Sequence, residues 1–390
     1  MGGDEMSNPG SSGMDAWSFK TNCLRLDLDS KGQIVSIYDL SRGKECLASE
    51  HGAPLLRIAV GDVVHDPASV SYNAEAQVLK LVYGSGGITA QVEVSIKPTH
   101  LTLDLKSIQG ADAAMIIWGP YSTTISQTVG ETVGVVRNDE FAFGIQALNV
   151  QTTGGRPKEY PELGVGGEND AAARTDSGSA VQAYAREYDG GVIGSKIALF
   201  GCPAEKALET IEQIEIAEGL PHPMLDGEWG KTSTTAKLSY LITGFGEHNV
   251  DEILEYARKA GFKYIYHGGP FQSWGHFHLS PGDFPDGEES LKRCVEKAAK
   301  AGIRVGVHTL SNFITTNDPY VSPVPDSRLM RTGSSRLTTS IDETSTEIGI
   351  ADPAPFREQQ TLSNSIIGEE LIQYRAVSEA EPWKLLDCNR

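Results

Sequence analysis

Residues 238–312 alternate between the two-residue period of a strand and the 3.6-residue period of a helix. YLITGF is followed by NVDEILEYARKAG, FKYIYHGG, GEESLKRCVEKAAKAG and IRVGVHTLSNF, which read as strand, helix, strand, helix, strand. Strands joined by single helices pair in parallel, because only a crossover returns the chain to the same end of the sheet. The stretch therefore opens a barrel or parallel sheet of β/α units. Such a sheet needs more strands than the residues before Arg390 supply, so the expectation is an incomplete unit.

The local signals agree. Asn249 is a suitable N-cap for the first helix, whose apolar stripe is Val250, Ile253, Leu254 and Ala257, and Gly261 is a left-handed C-cap. Leu291, Val295, Ala298 and Ala299 repeat the stripe in the second helix, which ends at Gly302. After Asn312 the period is lost in a Ser/Thr/Pro-rich excursion over residues 315–360, with short strands expected at LTTSID and STEIGIA. A β-hairpin turning at Gly368-Glu369-Glu370 and a last strand, WKLLDC, restore order.

The first half of the chain has a different grammar. Short alternating strands recur at LRLDL, QIVSIYDL, PLLRIAV, QVLKLVYG, ITAQVEVSIKP, HLTLDLKSIQG, MIIWGPYS, FAFGIQALNV, AVQAYAREY and SKIALFGC, with turns such as Ser30-Lys31-Gly32 between them. This is an all-β pattern, too large for a simple immunoglobulin-like sandwich and suited to a double-sheet sandwich of long strands. Residues 151–179 carry little apolar content and read as a long, mobile loop. A helix over 204–219 and the breakers Pro221, Pro223 and Gly227 mark a boundary. The expected organisation is a disordered tail (1–16), a β-domain (17–203), a helical linker (204–235) and the first part of a β/α barrel (236–390).

Composition excludes several classes. Acidic residues number 52 against 33 basic ones, a formal charge of -19, so a nucleic-acid backbone is an unfavourable partner. No run reaches the ~18 apolar residues of a membrane span. The polar, glycine-rich first sixteen residues fit the mature end of an exported protein or an added tail, and a periplasmic, cell-surface or secreted location is the expectation. The five cysteines are scattered, with no CxxC; Cys23 and Cys46 flank a hairpin and could pair or stand as core thiols.

In α/β folds ligands bind beyond the carboxyl ends of the strands. There this chain places His267, Trp274, His276, His278, Asp283, His308 and Asn312. Trp274 offers a flat face for a sugar ring, the histidines and Asn312 offer hydrogen bonds to hydroxyls, and Asp283 could accept from a hydroxyl or orient a histidine. A zinc reading of the histidines is weak at i, i+2 spacing in a loop, and the expectation is no metal and no cofactor. The alternative for His267, followed by Gly268-Gly269, is satisfaction of the turn backbone; for His308 it is a buried, hydrogen-bonded residue, against which the four polar groups leaving one strand argue for a wetted pocket. Glycoside hydrolysis uses paired carboxylates, but Asp283, Asp286, Asp318 and Asp326 lie in loops, none at a clean strand end. GxSxG, HExxH, P-loop and GxGxxG motifs are absent.

YARKAGFKYIYHGG, the loop through Trp274, Phe284-Pro285-Asp286-Gly287 and KAAKAGIRVGVHT resemble the early barrel of the α-galactosidase (melibiase-like) glycoside hydrolases. LRLDLDSKGQIVSIYDLSRGKECL is similar to the opening of the supersandwich shared by galactose-mutarotase-like domains. The resemblance implies an all-β supersandwich followed by an incomplete (β/α) TIM-type barrel, and a glycosidase parent acting on an oligosaccharide or glycan. It departs where the family places two acidic residues after the second strand, since His267 and glycines stand there. The family's nucleophile and acid/base have no counterpart here, so the chain is expected to be inactive alone. The alternative is a non-catalytic carbohydrate-binding protein, supported if Trp118 and Tyr121 lie on a solvent face of the β-domain. A purely structural β-domain is a third class.

Overall fold

The structure is a computed structural model describing residues 17–48, 52–84, 87–132, 134–164, 166–357 and 363–390; the expected N-terminal tail lies outside them. The chain divides into two compact units, Met1–Ser233 and Thr234–Arg390.

The first unit is built of antiparallel sheets. One runs, in spatial order, Thr128–Val129, Val135–Arg137, Phe141–Ala147, Lys196–Pro203, His100–Gln109, Ile88–Ile96, Val78–Tyr83, Pro67–Asn73. A second runs Thr153–Gly154, Gly178–Arg186, Met115–Thr123, Arg57–Val60, Val63–His65. A smaller sheet holds Trp17–Lys20, Leu24–Leu28 and Gln33–Asp39. Alternation explains the packing. Leu79, Leu81, Ala90, Val92, Val94, Leu101 and Leu105 of the first sheet share one core with Ile116, Trp118, Val181 and Ala183 of the second. Trp118 is fully buried and donates its indole N–H to Ser195 Oγ at 3.0 Å; Tyr121, equally buried, donates to the Leu55 carbonyl at 2.7 Å. Neither lies on a solvent face, which removes the support they would have given to a sugar-binding face of this unit.

Two expectations change. The stretch 151–179 is not a plain loop: Ala172–Thr175 pairs with Gly178–Arg186 as a hairpin. Buried Arg186 ties the stretch down through Glu159 at 2.9 Å and Glu168 at 3.1 Å. The helix Ala207–Glu218 is not a free linker either. Its Ile211 and Ile214 pack with Phe200, Cys202 and Trp229. Buried Glu215 accepts from Trp229 Nε1, His222 and Lys231, and Glu218 from His100, Lys97 and Lys196. Although burial opposes ionisation, those donors hold Glu218 down to about 2. All five cysteines are unpaired.

In the second unit, strands Tyr240–Ile242, Tyr264–His267 and Arg304–Val307 form a parallel sheet in that order, with helices Val250–Ala260 and Glu288–Lys300 as the crossovers. Gly261 and Gly302 take the left-handed conformation expected of them, at φ 78° and 68°. Asn249 does not cap its helix through the side chain; Oδ1 accepts from Gly246 N–H at 2.8 Å. Register puts Leu241, Ile265 and Val305 on one face, packed against Leu254, Ala257, Cys294 and Ala298 of the helices. The opposite face presents Tyr240, Ile242, Tyr266 and Gly306. Of these, Tyr240 and Ile242 are 55% and 62% exposed. LTTSID forms no strand, although Leu337 bridges Ile350; the hairpin Asn364–Ile367 with Glu370–Gln373 is present.

Candidate functional site at the carboxyl ends of the parallel strands

Strand parity divides the expected site into three groups. His267 shares the helix side with Ile265. Its ring lies 5.1 Å from Phe245 and 6.1 Å from Phe284, and it is 6% exposed. Nδ1 accepts the Gly269 N–H at 3.1 Å, the backbone role that the Gly-Gly turn allowed. Burial pushes the imidazole below its ordinary value, against the opposing charge of Asp283, so it is neutral near pH 7. His267 and Asp283 belong together here, away from the exposed face.

The second group is an unbroken run of rings along the helix-free face. Tyr240 meets Tyr266 at 6.0 Å, Tyr266 meets His308 at 6.0 Å, His308 meets Trp274 at 5.4 Å, and Trp274 stacks on Phe313 at 5.0 Å. Tyr266 Oη and His308 Nδ1 are hydrogen-bonded at 2.5 Å, so Nε2 is the ring nitrogen left to meet a ligand. His308 also continues the strand pairing, its N–H donating to the His267 carbonyl at 2.9 Å. Asn312 is exposed next to Phe313. Trp274, His308 and Asn312 were expected; Tyr240, Tyr266 and Phe313 were not. The alternation in YIYH, counted from core Ile265, would have assigned Tyr266 to this face.

The third group is organised by Asp318, which is closed off from solvent. Its carboxylate accepts from Ser273 Oγ (2.8 Å), His276 N–H (2.8 Å), His276 Nδ1 (2.8 Å) and Tyr320 N–H (3.0 Å). Burial opposes the charge, but these donors outweigh it and hold the carboxyl well below the usual carboxylate range. His276 is stacked between Tyr320 at 4.1 Å and His278 at 5.7 Å. Gly275 passes so close to the carboxylate, at φ +140°, that a Cβ there would lie 2.5 Å from Asp318 Cγ. Trp274 is fixed from the same segment: its N–H donates to Thr315 Oγ1, and its carbonyl accepts the Thr315 N–H, both at 2.9 Å.

Three of the four candidate acids are engaged elsewhere. Asp286 pairs with Arg293 at 2.6 Å, Asp326 with Arg328 at 2.7 Å, and Asp318 has its four donors. Among the described residues no group of three or more His, Cys, Asp or Glu is placed to hold a metal ion, and no helix is long and apolar enough to cross a membrane.

The chain matches no known family and no curated protein in sequence. Among solved structures it is similar to glycoside hydrolases. One is the α-galactosidase of Thermus thermophilus in complex with p-nitrophenyl α-D-galactopyranoside (13% identity, 62% of this chain and 51% of that chain, TM-score 0.31). Another is the GH36 α-galactosidase AgaA of Geobacillus stearothermophilus (9% identity, 82% and 60%, TM-score 0.38). A third is a bacterial glucoamylase complexed with acarbose (12% identity, 55% and 37%, TM-score 0.34). The chain thus spans 51–60% of the length of these two α-galactosidases. At such low identity and overlap, what it does has to be argued from its own residues.

Proposed function

We propose that this chain is a glycoside-hydrolase-like protein that binds an oligosaccharide or glycan on the ring run Tyr240–Tyr266–His308–Trp274–Phe313. The observation that carries the reading is that run: five rings in succession along the helix-free face, from Tyr240 at the start of its strand to His308, Trp274 and Phe313 beyond the carboxyl ends, with Asn312 exposed beside Phe313. Flat apolar faces bind the C–H side of a pyranose, and polar groups at their edges meet its hydroxyls. In this reading the antiparallel unit is a supersandwich and the parallel strands are the first part of a TIM-type barrel. The parent is a periplasmic, cell-surface or secreted glycosidase whose catalytic carboxylates lie outside the residues described here.

The engagement of Asp286, Asp318 and Asp326 favours a second reading, a carbohydrate-binding protein without hydrolytic activity. Both readings make the same first prediction. Trp274→Ala should weaken binding of a galacto-oligosaccharide at least tenfold, about 1.4 kcal/mol, in a calorimetric titration of the folded variant. An unchanged affinity would remove Trp274 from the site. Release of reducing sugar by the wild-type chain would decide for hydrolysis over binding alone.

A further inference from the structure

The short strands Ile348–Gly349, Ala376–Val377 and Lys384–Leu386 form a small sheet beside the hairpin Asn364–Ile367 with Glu370–Gln373. Ile348 and Leu385 of the sheet, with Ile350 and Tyr374 of the same core, line a cavity of about 730 Å³, within the ~300–1,000 Å³ range of small-molecule sites. Asn312 and Phe313 also line it, and Phe313 is the residue that stacks on Trp274. The cavity and the ring run therefore share a wall.

Its charge is out of keeping with the chain. Acids outnumber bases 52 to 33 overall, yet the described lining holds Arg331 and Arg336 and neither an Asp nor a Glu. Neighbouring arginines are neutralised: Arg328 by Asp326 at 2.7 Å, Arg390 by Glu370 at 2.7 Å. Among the described residues, neither Arg331 nor Arg336 has a carboxylate partner. Two unneutralised guanidiniums at a partly apolar cavity make a local positive potential in an otherwise acidic surface. A guanidinium fork matches planar or tetrahedral oxyanions with paired N–H donors.

We infer that this cavity takes an acidic sugar of the glycan, its carboxylate or sulfate group meeting Arg331 and Arg336 and its ring lying against Phe313 and Phe356. The inference rests on the carbohydrate reading above and names its substrate class: an anionic oligosaccharide, a uronate or a sulfated sugar, bound across the cavity and the ring run.

The test is calorimetric titration of the full chain with trigalacturonate, with a sulfated galactotriose and with neutral galactotriose, each at low and high salt. At least one acidic trisaccharide should bind ten-fold or more tighter than the neutral one, with the advantage shrinking as salt rises. R331Q/R336Q should abolish that advantage while leaving neutral affinity and the melting temperature unchanged. Equal affinity for acidic and neutral trisaccharides in the wild-type chain overturns the inference without any variant being needed. So does an advantage that survives in the folded double variant. If neutral galactotriose binds through Trp274 but charge adds nothing, only this inference falls; if none of the three binds, the carbohydrate reading falls with it. Which acidic sugar gains distinguishes uronate from sulfate.

Discussion

Asp318→Ala is expected to destabilise the second unit by about 2–4 kcal/mol, since it strips the acceptor from four donors at once, and to abolish the ring geometry around Trp274. The donors Ser273, His276 and Tyr320 sit on loop segments, outside any helix or strand. Urea titration followed by tryptophan fluorescence, with the Trp274→Phe variant as the reference for the Trp274 share of the signal, measures the destabilisation, with Asp318→Asn expected to fall between wild type and alanine because the amide keeps the shape and loses the charge. A midpoint for Asp318→Ala equal to wild type would end the hub role. The pH dependence has a definite sign. The folded carboxyl is held below its unfolded value of about 3.9. Its contribution is therefore complete above that value and is lost as pH falls below it toward the folded value. The second unit should loosen in acid below about pH 4, and Asp318→Ala should flatten that loss.

The β/α alternation was legible because its signals are local, and each helix ends at a glycine that takes the left-handed conformation. The first stripe packs as expected through Val250, Leu254 and Ala257, but in the second Leu291, Cys294 and Ala298 face the core, while Val295 and Ala299, expected in the stripe, are exposed. The site was legible only to the level of which loop. His267 stands at a strand end as the sequence says, yet it belongs to the parity of Ile265 and so packs between Phe245 and Phe284, while Tyr266 turns to the open face. Asp318 was visible only as an acid in an irregular excursion. Its donors Ser273 and His276 lie 45 and 42 residues away, and no period connects them. The helix Ala207–Glu218 showed its stripe but not its partner. Packing of Ile211 and Ile214 against Phe200 and Cys202 is a tertiary contact that the Pro221 and Pro223 breakers obscured.

Trp118→Ala is expected to destabilise the first unit by about 3–5 kcal/mol, the range for emptying a fully buried aromatic site. Two effects add. The cavity would face Val181 and Ala183 of the paired strand and the leucines of the facing sheet, which cannot all collapse into it. Ser195 Oγ would also lose the indole N–H at 3.0 Å, keeping only its contact with Thr152 Oγ1 at 2.9 Å. Trp118→Phe separates the two: it restores most of the volume but not the donor, and should cost about 1–2 kcal/mol. Chemical denaturation of each variant gives both numbers, and a Phe variant as damaged as Ala would assign the whole effect to the hydrogen bond. The same variants discriminate between sugar-binding surfaces. A Trp118 that served as a platform in the first unit would lose sugar affinity on substitution and leave stability alone. Buried beneath two sheets that share its core, it should do the reverse: Trp118→Phe should bind a galacto-oligosaccharide as wild type does, while Trp274→Ala does not.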